Sequence, residues 1–501
     1  MNSIRIICRH SRLSLYQARL VADRVRRVHP DAKIELVPRS SRGDRLTNVP
    51  LSALDGTDFF TEEIFEALRA GEADIAVHSL KDMSAPHFFS HAAFAVVDRE
   101  DVRDIALFHP SIHDKLRRGD RIIIGTCSPR RERMATEFLR QALPSDGRPV
   151  DIEVRPIRGN VEGRLQQLHD GVFDATILAT AGLIRLLRSD NGLISGLLAD
   201  KPRMVLPLVE CIPAPCQGAI VAEADPARPE MQRLLETIND GGLFADAVAE
   251  KRMAWGYGTG CLQKFGVVTL RNAHGVCQYA AGEDQHGQAF SHWSGLPDAP
   301  AADDVWFSST DHMRSFFRYG STEESLHTTA PVVFIANYKA LNEPGVRGML
   351  DGRRVWVSGT RTWLELSRMG IWVEGSADAL GIAQLEPLWA SPLIGILREE
   401  VCMITHADAA VRRRARGELA VAPYRLEPVM DAAVAAALTG ATHIFWSSFA
   451  QFEHYGQFVR SDVTHACPGG ETAERLLEAG IRPVIFPTLK SFIAWKHMHQ
   501  I

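Results

Sequence analysis

The feature that most restricts the fold is an alternation of short apolar runs with amphipathic ones over the first third of the chain. Residues 4–8, 34–38 and 74–78 read as strands, and residues 13–28 carry Leu, Ala and Val at helical spacing. Thr61, followed by Glu62 and Glu63, reads as the N-cap of a helix through 64–68. Strands at 121–125, 151–156 and 173–178 and helices at 129–139 and 161–168 continue the pattern. Strands alternating with helices predict an α/β protein of parallel, doubly wound sheets. Such sheets place ligands beyond the carboxyl ends of their strands, in loops that feed helix N-termini. The informative loops are then 9–14, 79–84, 126–131 and 158–164.

Near residues 218–223 this pattern closes. Residues 245–255 read as a helix, followed by a Gly-rich turn at 256–260, Cys261 and β-like segments to about 295. The Pro/Ala/Asp-rich stretch 297–304 reads as a linker. Beyond it lies an internal repeat: Gly359, Thr362, Leu366, Gly370 and Ile371 have the spacing of Gly469, Thr472, Leu476, Gly480 and Ile481. Upstream, Val333-Phe334-Ile335 matches Ile444-Phe445-Trp446. Two similar α/β lobes, joined through 380–423, are the expected result.

The 501 residues predict roughly three to five domains. A net charge of −5 argues against a surface coated for nucleic acid, although it leaves room for a basic cleft. The 47 Arg against 9 Lys suit a GC-rich genome, or forks that grip carboxylates bidentately. Eight cysteines without a C-x-x-C pair are too few for a disulfide framework. Arg and His interrupt the place where a signal peptide needs its apolar run, and no stretch has the roughly 18 apolar residues of a membrane span. A cytoplasmic protein with no membrane or nucleic-acid partner and no metal site is expected.

Four segments could carry chemistry. DIAVHSLKDMS (74–84) runs a strand into a charged loop, so Ser79, Lys81 and Asp82 are either a site or solvated loop charges. GTCSPRRER (125–133) offers Thr126 and Ser128, then Arg130 and Arg131 at a helix start: an anion site, or a basic helix face. Positive charge in a first turn opposes the helix dipole, so something negative should compensate it. RPIRGNVEGR (155–164) sets Arg155, Arg158 and Arg164 around two glycines, with Asn160 as a cap. With Arg9, Ser11, Arg42 and Asp44, the inferred cleft holds enough guanidiniums for a ligand with several carboxylates. Cys261, in GTGCLQKFG, is a nucleophile, a covalent anchor or incidental.

Together, RHSRLSLYQA, SRGD, DIAVHSLKD, GTCSPRR, RGNVEGR, ATAGLIRL, PAPCQGAIVAE and GTGC resemble hydroxymethylbilane synthase, also called porphobilinogen deaminase, in order from residue 4 to about 295. The resemblance implies two periplasmic-binding-protein-like lobes and a small α+β domain: 1–98 with 204–221, 99–203 and 222–296. It implies that porphobilinogen is the substrate and that Cys261 carries a dipyrromethane cofactor through a thioether. It implies that Asp82 is the catalytic carboxylate and that water releases the product. Lys81, Ser79, Thr126, Ser128, Arg130, Arg131, Arg158 and Arg164 then match residues that hold the cofactor's acetate and propionate groups, with Arg9 and Ser11 on the substrate side. Thr57-Asp58 stands where that family usually has Lys-Gly, which removes a positive charge near the active-site lid. Met83-Ser84, Pro129, Pro215-Cys216 and the residues after Cys261 also depart from the family pattern.

The repeat is similar to uroporphyrinogen-III synthase over about 332–495, through WVSGTRTW, VAPYRLEP, FWSS and PGGETAERL. This resemblance implies a two-lobed module at 331–501, after a linker or uncertain stretch at 297–330 where that family's opening strand and helix are not found. Tyr424, Ser447, Ser448 and Thr472 are its polar candidates. Two readings compete for this half, a cyclase acting on the linear tetrapyrrole and a docking module. For the first half the competing class is a non-catalytic anion-binding protein.

Overall fold

A computed structural model of the chain describes residues 3–40, 62–90, 93–258, 263–272, 275–312 and 316–500. Arg42, Asp44, the Thr57-Asp58 departure, the Thr61 cap and Cys261 lie outside them. The chain divides into two compact units, Met1–Thr269 with Gln278–His292 and Ser391–Leu393, and Leu270–Cys277 with Trp293–Ala390 and Ile394–Ile501.

Among the described residues, ten strands build the lobes of the first unit: β1 (Ser3–Arg9), β2 (Lys33–Arg39), β3 (Ile75–Ser79), β4 (Phe94–Arg99), β5 (Asp104–Phe108), β6 (Ile122–Gly125), β7 (Ile152–Arg155), β8 (Ala175–Ala179), β9 (Arg203–Val205) and β10 (Ala219–Glu223). They form two five-stranded sheets, ordered β2-β1-β3-β10-β4 and β7-β6-β8-β5-β9. Each sheet is mixed rather than parallel throughout: β10 runs against β3 and β4, and β5 runs against β8 and β9. The reversal follows from the path, because β5 enters the second sheet from the first and β10 returns from the second. Strands buried on both faces read as the same apolar run in either direction, so their pattern does not announce it.

Two expected boundaries move. β9 belongs to the second sheet, so the return follows Val205. Met231, Leu234, Leu235 and Ile238, on the helix Pro229–Ile238, pack in the core that holds Ile4, Ile6 and Ile220, which carries the first lobe past residue 221. Helix Gly241–Tyr257, capped by Asp240, comes next. A three-stranded sheet of β11 (Gly266–Asn272), β12 (Gly275–Glu283) and β13 (Ala289–Ser294) follows it.

The C-terminal strands are β14 (Trp306–Ser308), β15 (Phe317–Ser321), β16 (Val332–Ile335), β17 (Arg354–Val357), β18 (Gly375–Ser376), β19 (Val401–His406), β20 (Ala420–Pro428), β21 (His443–Phe445), β22 (Thr464–Pro468) and β23 (Val484–Phe486). They make two sheets, β15-β20-β19-β16-β17-β18 and a wholly parallel β14-β21-β22-β23. The described part of the stretch 297–330 therefore contains two strands, β15 and, before it, β14. It is three residues long, too short to show a period. Residues 380–423 do not join the lobes; they supply β19 and the start of β20 to the six-stranded sheet. The repeat is realised bond for bond. After helix Thr360–Arg368, Ile371 N–H donates to Leu366 O at 3.1 Å; after helix Glu471–Glu478, Ile481 N–H donates to Leu476 O at 2.9 Å. Gly370 and Gly480 sit between at φ 77° and 80°, the left-handed exit that glycine permits. Among the described residues no helix is long and apolar enough to cross a membrane, and the seven described cysteines are free thiols.

Candidate active site

The carboxyl ends of β1 and β3 are neighbours in the first sheet, so loops 9–14 and 79–84 lie side by side. Ser11 caps the helix Arg12–Val28, accepting from Ser14 N–H at 3.2 Å. One turn along, buried Gln17 holds the Ser79 hydroxyl at 2.9 Å. Leu80–Asp82 is a single 3-10 turn, closed by Met83 N–H on Leu80 O at 3.2 Å, and presents half-buried Lys81 and Asp82. Arg9 ends β1 half-buried.

In the second lobe, Ser128 caps the helix Pro129–Ala142 and Thr126 Oγ1 accepts from Ser128 N–H at 3.1 Å. Arg130 and Arg131, on the first turn, converge on Asp104, which opens β5 fully buried: Arg130 Nη2 lies 2.7 Å from Oδ2 and Arg131 Nη2 2.8 Å from Oδ1. Gln217 Nε2 adds a third donor at 2.9 Å. Arg130 also donates to Ile212 O at 2.6 Å, and Arg131 to Ile177 O at 3.1 Å. Asp104 is thus the negative partner that the first-turn charge demanded. Burial opposes its ionisation, but the two guanidiniums hold its carboxyl far below the usual range.

Asn160 caps the helix Val161–His169 through Gly163 N–H at 2.9 Å, as the sequence suggests. Gly159 takes φ 108° just before it, and its carbonyl receives Arg164 Nε at 2.9 Å. Burial, then the nearby charges of Arg131 and Arg158, push Arg164 down to about 10, while Cys127 and Asp82 pull the other way. Burial also pushes Lys81 down; Asp82 and Asp104 counter it, and Arg131 and Arg130 reinforce it. Asp82 and Arg131 act on both cations, so the turn of the first lobe and two loops of the second meet at one place. Arg155 does not join them: it is exposed and paired with Glu153 at 2.6 Å.

Sequence reasoning missed Asp104, Gln17 and Gln217, and also a buried cluster behind β3. There Glu223, fully buried, lies between His78 at 3.2 Å and His87 at 2.9 Å. Its signal was available, since Asp104 and Glu223 are carboxylates in otherwise apolar strands.

In the C-terminal unit, polar groups gather at the carboxyl edge of the six-stranded sheet. Lys339 Nζ lies 3.5 Å from the centre of the Tyr319 ring, and Arg361 donates to the Tyr338 hydroxyl at 3.3 Å. Tyr424 is buried 5.7 Å from Tyr319 and 6.4 Å from His406, centre to centre. Burial, then Tyr319, pushes the Tyr424 phenol up. Ser447 and Ser448 serve local structure instead. Ser447 donates to Gln451 Oε1 at 3.0 Å and Ser448 N–H to the same oxygen at 3.1 Å, at the start of helix Phe449–Tyr455. Thr472 is half-buried in helix Glu471–Glu478.

Residues 4–233 match the family described as porphobilinogen deaminase, dipyrromethane cofactor binding domain. A porphobilinogen deaminase of Streptococcus sanguinis is 33% identical over 290 residues, 58% of this chain and 89% of that one. Those of Chromobacterium violaceum and Stenotrophomonas maltophilia are 37% and 38% identical over 264 and 255 residues, 52% and 50% of this chain and 78% and 77% of theirs. The chain belongs to the porphobilinogen deaminase family, and its N-terminal half is a hydroxymethylbilane synthase with that family's dipyrromethane cofactor.

Proposed function

We propose that the N-terminal half works through Asp82, a cofactor anchored on Cys261 and the cations around them, and that the C-terminal half closes the linear product into a ring. The observation that carries the first part is the meeting of Lys81, Asp82, Arg131, Arg158 and Arg164. The residues present fit a dipyrromethane with its acetate and propionate groups. Burial pushes Arg164 and Lys81 down, and Arg131 Nε is buried with no acceptor among the described residues. Carboxylates placed there would relieve all three.

When bound, the dipyrromethane supplies the terminal pyrrole to which porphobilinogen units add. Lys81, Arg158 and Arg164, with Ser79, Thr126 and Ser128 beside them and Arg130 and Arg131 behind, hold its carboxylates; Arg9 and Ser11 hold those of the incoming porphobilinogen. Loss of ammonia from porphobilinogen leaves positive charge on its pyrrole nitrogen, and Asp82 is a fixed carboxylate placed to stabilise it. One preorganised group of this kind is worth about 2.7–4 kcal/mol. Each round forms one carbon–carbon bond, and the hydrogen lost from the acceptor ring balances the departing ammonia. After four rounds water adds to the methylene carbon that joins the first added ring to the cofactor; the bond from that carbon to the cofactor's ring breaks, the ring takes up a proton, and hydroxymethylbilane leaves. The protein's intact mass should exceed its sequence mass by a dipyrromethane, and Cys261→Ser should abolish the excess; an active protein without the excess would refute this reading.

For the C-terminal half, the Tyr319, Lys339, Arg361, His406 and Tyr424 cluster beyond the strand ends supports binding of the same polycarboxylate. Its fusion to a synthase of the linear tetrapyrrole favours a cyclase that inverts the last ring over a docking module. Product analysis tests this directly. Uroporphyrinogen III supports it, whereas uroporphyrinogen I alone, from spontaneous closure, would leave a docking module. The free thiols suit a cytoplasmic setting.

A further inference from the structure

The helix Gly241–Tyr257 buries Ala247, Glu250, Lys251 and Ala254, a spacing that places two charges on the face turned inward. Glu250 is satisfied many times over. It holds Arg99 at 2.9 and 3.0 Å and accepts from Cys216 N–H at 2.6 Å and Thr269 N–H at 2.9 Å. Lys251, 3% exposed, donates its Nζ hydrogen bond to the carbonyl of Met83. Met83 directly follows Asp82, and its own N–H closes the 3-10 turn that presents Lys81 and Asp82.

Burying an ammonium costs several kcal/mol, so a methionine of similar length would stabilise this face better if packing were its only task. The helix ends at Gly258, three residues before Cys261. One side chain therefore connects the helix Gly241–Tyr257 with the peptide beside Asp82. We propose that Lys251 is a positioning residue: it fixes the carbonyl beyond Asp82 and so sets where that carboxylate stands against the helix Gly241–Tyr257. The proposal rests on the role assigned to Asp82. Lys251 touches neither substrate nor cofactor and acts only through the turn.

The test compares Lys251→Met, Lys251→Arg, Asp82→Asn and the double variant Lys251→Met/Asp82→Asn in the full-length protein. It reads intact mass, thermal midpoint, kcat and KM for porphobilinogen. Lys251→Met should keep the cofactor mass and a midpoint at or above that of the parent, while kcat falls about 10–100-fold and KM moves less than about threefold. Lys251→Arg, which retains a donor, should recover most of the loss. In the Asp82→Asn background, Lys251→Met should cost less than about twofold, because a displaced carboxylate that is already absent has nothing left to lose. Near-normal kcat in Lys251→Met with Asp82→Asn inactive would overturn this proposal alone, as would losses that multiply in the double variant. Near-normal kcat in Asp82→Asn would overturn the Asp82 reading and this proposal with it. Should Lys251→Met fail to fold, Lys251→Gln, whose amide stops short of the carbonyl, replaces it with the same expected split.

Discussion

Asp104→Asn should destabilise the first unit by about 3 kcal/mol, the lower end of what removing one partner of a buried ion pair costs. The carboxylate is fully buried, and the guanidiniums on it are 4% and 8% exposed. Asparagine keeps one acceptor for Arg130 or Arg131 and turns its NH2 group on the other. Two buried positive charges then have no carboxylate between them. Each of the two charge-assisted hydrogen bonds is worth about 1.5–3 kcal/mol, and one of them is lost outright. At about 2–4 °C per kcal/mol for a large domain, the thermal midpoint of this unit should fall by about 6–12 °C in calorimetry. The pH dependence has a definite sign. The folded carboxyl is held far below the usual range, so its contribution is complete above the unfolded value of about 3.9 and drains only as pH falls through the folded one. The deficit of the variant should therefore be equal at pH 6 and pH 8. A shift below about 2 °C, or one that changes between those values, would refute Asp104 as the counter-charge of the arginine pair.

Other perturbations probe separate features. Burial alone would raise the Glu223 carboxyl, but the hydrogen bonds of His78 and His87 hold it at about 2 against an ordinary 4.5. Its stabilisation is complete above pH 4.5 and drains as pH falls towards 2, so the wild type should lose more stability between pH 5 and pH 3 than Glu223→Gln; equal slopes would count against the cluster. Gly218 sits at φ 84°, and a β-carbon there would lie 2.3 Å from Glu100 O. Gly218→Ala should cost at least about 2 kcal/mol, whereas Gly196→Ala, in open space on a helix, should be neutral or gain up to about 1 kcal/mol. Urea unfolding of the pair checks the order. Arg164→Leu should leave the thermal midpoint within about 2 °C and reduce porphobilinogen turnover at least 10-fold; a large loss of stability with normal turnover would assign Arg164 to structure.

The elements that sequence predicts well are those with a strong local period. Helix Arg12–Val28, the strand ahead of Lys81 and Asp82, the Asn160 cap and the repeated turns at Gly370 and Gly480 all announce themselves within a dozen residues. What was hidden depends on partners far along the chain. Nothing local tells β5 from a parallel strand, because its direction is set by where the chain came from. Three residues of β14 show no period, and only β21, 137 residues away in register, makes them a strand. Likewise the Ser447 hydroxyl looks like a donor for a ligand until Gln451, one helical turn on, is seen to accept from it.

The arginine count shows the same limit in the site itself. Read along the sequence, Arg130, Arg131, Arg155, Arg158 and Arg164 are five equivalent forks awaiting carboxylates. In the fold Arg155 is spent on Glu153, and Arg130 and Arg131 spread four hydrogen bonds over Asp104 and two carbonyls. Two guanidiniums meeting on one buried carboxylate need planar donors that reach different oxygens and still keep an N–H for a backbone carbonyl. Two lysines would present point charges to the same oxygens and leave those carbonyls unfilled. The pair therefore builds a rigid positive floor under the site. In the proposed site, contact with the ligand then falls first to Lys81 and Arg164, whose charges burial opposes. This division has a consequence for substitution. Arg131→Lys should damage folding and turnover together, whereas Lys81→Arg, at a position that needs charge more than a fork, should spare the fold.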